Sequence, residues 1–155
     1  MRSFLSTAIV MTILSLTCAY ASASGPDVSS QGDSATALAV LHAKADQAHP
    51  RDRCFLYAEL VSQMTDLAGK QFNSGESGQA SQTLQLVRRY AEKIHASVTE
   101  DSKKLRDAEL LTRRASFRLR GILSAAAYED RPALEVTLKQ LNEVQSELLM
   151  QVFKK

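Results

Sequence analysis

Apolar residues recur at intervals of three and four positions along most of the chain, and this spacing constrains the fold more than any other feature. Leu84, Val87, Ala91 and Ile94 form one such stripe. No segment after the first 33 residues shows the apolar–polar alternation typical of a half-buried strand. Gly and Pro are few, at 6 and 3 residues, and Ala, Leu and Gln are plentiful, which favours helix over strand. The sequence therefore predicts an all-α protein.

Turn residues divide the chain after residue 33 into a short helix and four long helices. We expect them at about 34–48, 50–73, from the turn at 73–78 to residue 97, 99–128, and from 131 to the end. The apolar face of the second helix covers more than half of its circumference, so we expect this helix to be central. Long helices joined by short turns are most simply antiparallel neighbours. This predicts an antiparallel bundle of four long helices or two stacked helical hairpins, with the short helix added at the N-terminal side.

Local signals fix several of these boundaries. Gly75 is expected to end the second helix in a left-handed conformation. Thr99 is a favourable N-cap for the fourth helix. Asp130 can cap the last helix, with Pro132 in its first turn.

The N-terminal segment has the three parts of a secretory signal peptide. A positive start at residues 1–3 precedes an uncharged, mostly apolar run over 4–16 and a small-residue exit. The run is too short to span a bilayer, which needs about 20 residues. We predict a signal peptide over 1–21, cleaved after Ala21 or alternatively after Ala23.

These features predict a periplasmic or secreted protein without stable membrane insertion after cleavage. Residues 22–33 are polar and are predicted to form a flexible leader, followed by a single helical domain over 34–155. An uncleaved anchor and a lipid on Cys18 are the alternatives. The formal net charge of +2 gives no argument for nucleic acid.

One hairpin resembles a degenerate tetratricopeptide-type repeat. The resemblance rests on large apolar, small and turn residues at the spacings of that family, namely Leu67, Ala68, Gly75, Ala80 and Leu84. The chain departs from the pattern at Gln71, where an aromatic is usual, and at Glu92, where a proline is usual. Such hairpins usually stack and bind protein segments, so the resemblance implies a binding module.

The mature sequence is also similar to an uncharacterised group of exported bacterial helical proteins. The segments that carry this similarity are DRCFLYAEL at 52–60 and YEDRP at 128–132. The similarity implies an exported all-helical protein and no particular activity.

The sequence contains no recognisable catalytic or cofactor motif. The haem-attachment motif C-x-x-C-H is absent, and the histidines and cysteines lack zinc spacing. Glu92 and His95 form one Glu-x-x-His pair, whereas a di-iron bundle needs two such pairs. We therefore assign no catalytic, cofactor-binding or metal-binding residue and predict that the protein is not an enzyme. Cys54 is expected to be a buried core residue, with a reactive or intermolecularly paired thiol as the alternative.

The fourth helix carries arginines and large apolar residues opposite its core stripe. Aromatic residues interleaved with arginine are typical of a protein interface, so we predict a partner-binding face made of Arg106, Leu110, Arg113, Phe117, Arg120 and Tyr128. A solvated basic face, or cover by the short first helix, would also account for it. The leading hypothesis is an exported non-enzymatic interaction or scaffold protein with a protein or peptide partner. A small-molecule or metal carrier using the bundle interior is the alternative.

Overall fold

Five α-helices form the structure, a computed structural model that describes residues 27–99 and 102–154, with side chains from residue 35 onward. They are α1 (Asp27–Gln47), α2 (Pro50–Asn73), α3 (Ser77–Ser97), α4 (Leu105–Ala125) and α5 (Arg131–Lys154). The described ranges contain no strand, so the all-α prediction is confirmed. The predicted signal peptide, both cleavage sites and Cys18 lie outside the described residues.

The predicted limits of α2 are confirmed. Pro50 occupies the first turn, and the Nδ1 atom of the preceding His49 accepts a hydrogen bond from the Arg51 N–H at 3.3 Å. Asn73 is the last helical residue. Gly75 then has a φ of 77°, the left-handed conformation that glycine adopts at low cost.

The helix α1 begins earlier than predicted. Its backbone is helical from Asp27, so the part of the predicted flexible leader from 27 to 33 is helical instead. Leu38, Leu41 and Ala45 anchor the helix because they are buried against the rest of the molecule. Adding a turn to an anchored helix costs far less than nucleating one, which explains how a polar segment without an apolar stripe continues it.

The predicted start of α4 at Thr99 is wrong. The Thr99 N–H donates to the Ser102 Oγ at 2.9 Å, and the Ser102 N–H donates to the Thr99 carbonyl at 3.1 Å, so these residues form a tight turn. The Lys103 N–H then donates to the Arg51 carbonyl at 2.8 Å, which ties the connection to the start of α2. The chain uses these residues to pass from the end of α3 to the side of α2, where α4 begins. Glu100 and Asp101, expected in the first turn of the helix, lie outside the described residues.

The predicted end of α4 at Tyr128 is also wrong. Ala126 has an extended backbone with a ψ of 146°, which stops the helix at Ala125. The Asp130 N–H donates to the Ala127 carbonyl at 3.1 Å, so Tyr128 lies in a turn. Asp130 directly precedes α5 as predicted, and one of its carboxylate oxygens accepts a hydrogen bond from a serine of α3.

The helices do not all pack in chain order. The central position predicted for α2 is confirmed, because it packs against α1, α3 and α4. The helix α5 packs against α3 and α4. Within the described ranges the backbones of α3 and α4 are not adjacent, so the expectation that consecutive helices are neighbours is wrong at this connection.

Cross-helix contacts give the directions of the neighbouring helices. Arg118 of α4 contacts Asp66 of α2 in the later part of both helices, and the starts of the two helices meet through the Lys103–Arg51 hydrogen bond. The helices α2 and α4 are therefore parallel. The helices α3 and α5 are parallel as well. Ser77 at the start of α3 bonds to Asp130, which directly precedes α5, and His95 near the end of α3 pairs with Glu147 in the later part of α5.

The core lies between α2, α3, α4 and α5. Leu60, Leu84, Leu119 and Leu141 are at most 1% exposed, one from each helix. Buried threonines interrupt the apolar stripes, and three of them, Thr65, Thr112 and Thr137, donate their hydroxyls to the carbonyl four residues earlier, as Thr112 does at 2.9 Å. This bond satisfies a polar group that would otherwise be costly to bury. None of the described helices is both long enough and apolar enough to cross a membrane.

Candidate functional site

The outer side of α4 presents a row of arginines and apolar residues to solvent. We call this row, Arg106, Leu110, Arg113, Phe117 and Arg120, the arginine face. Its members are three or four positions apart, which places them on one side of a helix. Phe117 is 74% exposed and Leu110 is half-buried. Cover by the short first helix, one of the predicted alternatives, is wrong for the described residues, because α1 packs against α2 and has no backbone contact with α4.

Tyr128 does not belong to the arginine face. The sequence interpretation placed it on a continuous helix, whereas the structure places it in the turn between α4 and α5. Its side chain is 84% exposed. It is therefore an accessible aromatic residue near the end of α4, at a position that helical spacing does not relate to Phe117.

The arginines of this face differ in how far they are neutralised. The Arg113 Nε lies 3.7 Å from a carboxylate oxygen of Glu109, which is itself 5% exposed. Arg120 donates to the Asn142 side-chain oxygen at 3.3 Å, which leaves its charge unbalanced. Arg106 forms no ion pair with any described residue. The arginine face therefore carries net positive charge around an exposed aromatic ring.

A groove between α2 and α4 adjoins this face. Its volume is about 770 Å³, and the ion pair between Asp66 and Arg118, at 2.6 Å, spans it. We call it the α2–α4 groove. It is lined by Thr65, Asp66, Gly69, Lys70, Phe72, Asn73, Ser77, Arg118, Gly121, Ile122, Ala125, Ala126, Ala127 and Asp130.

The α2–α4 groove was missed by the sequence reasoning. Its lining includes one glycine from the interior of each helix, Gly69 and Gly121. A Cβ atom at Gly69 would lie 3.3 Å from Ile122 Cδ1, so this glycine permits the close approach of α2 and α4. A glycine in a helix interior costs about 0.5–1 kcal/mol relative to alanine. Two such glycines were the available signal that backbone or ligand approaches there.

A polar and aromatic cluster fixes α1 to α2 and α3. One Asp46 carboxylate oxygen accepts hydrogen bonds from the Lys93 ammonium and the Tyr57 hydroxyl, each at 2.9 Å. The bond from Lys93 holds the pKa of Asp46 below its ordinary value. The rings of Tyr57 and Tyr90 stack with centroids 6.2 Å apart, and burial raises the pKa of both phenols. The polar groups of this cluster form hydrogen bonds with one another. This indicates that the cluster holds α1 in place and is not a reactive centre.

The buried position predicted for Cys54 is confirmed. Its side chain is fully buried, and burial raises the pKa of the thiol to about 12. A thiol in that environment stays protonated and unreactive at neutral pH. The residue is part of the packing between helices.

Each histidine has a local structural role. His42 Nε2 lies 3.2 Å from Asp46, and His49 accepts the capping hydrogen bond of α2. His95 pairs with Glu147, which raises the pKa of the imidazole. Within 35–99 and 102–154, no three His, Cys, Asp or Glu side chains are arranged to hold a metal ion.

The residues that resemble a tetratricopeptide hairpin lie in α2, α3 and the turn between them. Gln71, at the position where that repeat has an aromatic residue, is 7% exposed and accepts a hydrogen bond from the Thr83 hydroxyl at 2.8 Å. A buried hydrogen bond therefore joins the two helices where an aromatic side chain would pack.

Comparison with known proteins gives no relative: no family model, curated protein or solved structure matches this chain. Function is therefore inferred from the contacts and charges of the described residues.

Proposed function

We propose that this protein is an exported, non-enzymatic interaction protein that binds a segment of another protein through the arginine face. The observation that carries this proposal is the 74% exposure of Phe117 in a row of arginines. Aromatic residues and arginine are the types most enriched at protein interfaces and among their energetically dominant contacts.

The arginine face is not needed to build the core. Ala115 and Leu119, on the other side of α4, are fully buried and supply its contribution to the packing. The ring of Phe117 buries little apolar surface in the folded chain, so it contributes little to the stability of the fold. Its burial against a partner would remove apolar surface from water, which stabilises a complex by about 25 cal/mol per Å² before the costs of association.

The pairing of helices supports the stacked-hairpin form of the predicted fold. The hairpins α2–α3 and α4–α5 lie side by side, with α2 beside α4 and α3 beside α5. Stacked hairpins characteristically bind protein segments along exposed helix faces. In this arrangement α1 covers part of the first hairpin, whereas none of the described helices covers the outer side of α4.

A small-molecule carrier has less support. Leucines from α2, α3, α4 and α5 fill the centre of the molecule, and the α2–α4 groove lies at the surface between two helices. A carrier would instead require an enclosed interior space with polar groups to orient its ligand. The α2–α4 groove favours recognition of an extended or helical segment.

Export is part of the proposal and rests on the signal-peptide sequence. Purified from its native host, the chain should begin at Ser22 or Ser24, which mass spectrometry of the intact protein measures. An intact Met1, or a lipid on Cys18, would contradict export by cleavage at these sites.

The binding role is tested by Phe117→Ala, with Val136→Ala as the matched control because Val136 is a 51% exposed apolar residue on α5. Both variants should keep their free energy of unfolding within about 0.5 kcal/mol of wild type. Wild type and Val136→Ala should co-purify with the same protein, whereas Phe117→Ala should not. Loss of stability in Phe117→Ala, or an unchanged set of co-purifying proteins, would contradict the proposal.

A further inference from the structure

We infer that the partner segment is an acidic amphipathic helix that packs one large apolar side chain beside Phe117, at the mouth of the α2–α4 groove. The inference rests on the proposed function and goes further, because it names the chemistry of the partner and makes α2 the second wall of the site.

Helical spacing joins the arginine face to the groove. Phe117 and Gly121 are four residues apart on α4, so they are neighbours on the same side of the helix. Gly121 lines the groove, and a Cβ atom built there would meet no atom within 4 Å. The missing side chain therefore leaves open space directly beside the exposed ring. An apolar side chain of a partner can enter that space while it contacts Phe117.

The charges around Phe117 select an acidic partner. Arg113 and Arg114 lie four and three positions before Phe117, and Arg120 lies three positions after it. All three are therefore its neighbours on the helix surface. Glu109 is the carboxylate paired to Arg113, and it is buried. Arg114 forms no ion pair with any described residue. Carboxylates on the partner would meet guanidinium groups, which bind them with directed hydrogen bonds.

The shape of the site favours a helix over a flat surface. Two parallel helices, α2 and α4, wall the groove, and its volume of about 770 Å³ admits several side chains. A helix presents its apolar residues as a narrow ridge at intervals of three and four, and such a ridge fits a groove between helices. A lipid bilayer would reach Phe117 but would not follow the groove down to Gly69.

The partner chemistry is tested by selecting random peptides of about 16 residues, displayed on phage, against the exported chain purified from its native host. The selected peptides are then synthesised, and their dissociation constants are measured by fluorescence anisotropy. We expect them to carry net negative charge and apolar residues three and four apart. Raising the salt concentration should weaken their binding, because it screens exposed charges.

Three variants locate the binding site. Phe117→Ala and Gly121→Leu should each weaken binding of the selected peptides about tenfold or more. Gly121→Leu places a side chain in the open space beside Phe117 without crowding the fold, because its Cβ atom would meet nothing within 4 Å. The matched control, Gln85→Leu, adds the same leucine to an exposed position of α3 and should change binding less than about twofold. Urea unfolding of each variant establishes that its fold is intact.

The outcomes separate this inference from the proposed function. Neutral or basic peptides that still require Phe117, or acidic peptides that bind Gly121→Leu normally, would overturn the inference and leave the proposed function standing. No selected peptide, or binding that ignores Phe117, would overturn both. Sedimentation with vesicles containing phosphatidylglycerol tests a lipid surface, and binding to them that is lost in Phe117→Ala would overturn the protein partner.

Discussion

The close packing of α2 on α4 makes the effect of Gly69→Ala depend on Ile122. Alanine in a helix interior is favoured over glycine by about 0.5–1 kcal/mol. At Gly69, however, the added Cβ atom would lie 3.3 Å from Ile122 Cδ1, which is tighter than ordinary van der Waals contact, so crowding offsets most of this gain. Gly69→Ala should therefore change the free energy of unfolding by less than about 0.5 kcal/mol.

Ile122→Val removes Cδ1, the atom that would crowd an alanine at position 69. The helix-propensity gain of that alanine can then be measured without the crowding. The next atom, Ile122 Cγ1, is 3.9 Å from the added Cβ, which is ordinary van der Waals contact. In the Ile122→Val background, Gly69→Ala should stabilise the protein by about 0.5–1 kcal/mol. Ile122→Val alone should cost about 0.5–1.5 kcal/mol, and the double-mutant cycle separates the two effects.

Urea unfolding of the four proteins, followed by circular dichroism, measures this coupling. Gly121→Ala is the matched control, because its Cβ atom meets nothing within 4 Å and the substitution should stabilise wild type by about 0.5–1 kcal/mol. Equal effects of Gly69→Ala in both backgrounds would show that Gly69 and Ile122 do not touch. The pairing of α2 with α4, and the groove between them, would then be wrong.

Three further predictions concern groups inside or between the helices. Cys54 should react slowly with a thiol reagent in the folded protein, and Cys54→Ser should cost about 1–2 kcal/mol in urea unfolding because it buries a hydroxyl; rapid labelling would contradict its burial. Thr83→Val should cost about 1–3 kcal/mol, because the Gln71 side-chain oxygen loses its buried donor; an unchanged midpoint would exclude that bond. Because the pKa of Asp46 is lowered from its ordinary value of 3.8, its bond to Lys93 should contribute stability fully above that value and lose it as pH falls through the lower folded pKa. The difference in unfolding free energy between wild type and Asp46→Asn should then shrink as the pH falls below about 4; a difference that does not shrink there would refute this.

Sequence signals were sufficient where a helix boundary or a buried helix face depends only on nearby residues. Pro50 and Gly75 fixed the ends of α2 because one supports a first helical turn and the other adopts a positive φ. The apolar stripe of α3 predicted its buried side, and Leu84, Val87 and Ile94 are at most 1% exposed. Helical periodicity thus predicted which sides of the helices form the core.

Local signals failed at both ends of α4, which begins at Leu105 and ends at Ala125. Thr99 and Tyr128 were assigned to α4, because their sequence context is compatible with helix. The connection from α3 must reach the start of α2, and the Lys103–Arg51 hydrogen bond records this tertiary requirement. Nothing in the residues near Thr99 encodes the position of Arg51, about 50 positions earlier in the chain.

The candidate site was predictable in part for the same reason. Arg113, Phe117 and Arg120 follow from the periodicity of one helix, so the arginine face was visible in the sequence. The α2–α4 groove depends on the pairing of two helices that are separated by α3 in the chain. Gly69 and Gly121 are glycines inside helices, but periodicity did not show that they line one groove.

Cross-linking from position 117 in the native host tests most directly whether the arginine face binds another protein. Phe117 is replaced by the photoreactive amino acid p-benzoylphenylalanine, and Val136 is replaced in a control. Both positions are exposed, at 74% and 51%, so the fold should tolerate the change. We predict that illumination links position 117, and not position 136, to one protein, through a helical segment rich in Asp and Glu. Cross-links confined to this chain, or equal cross-linking from both positions, would contradict a binding role for the arginine face.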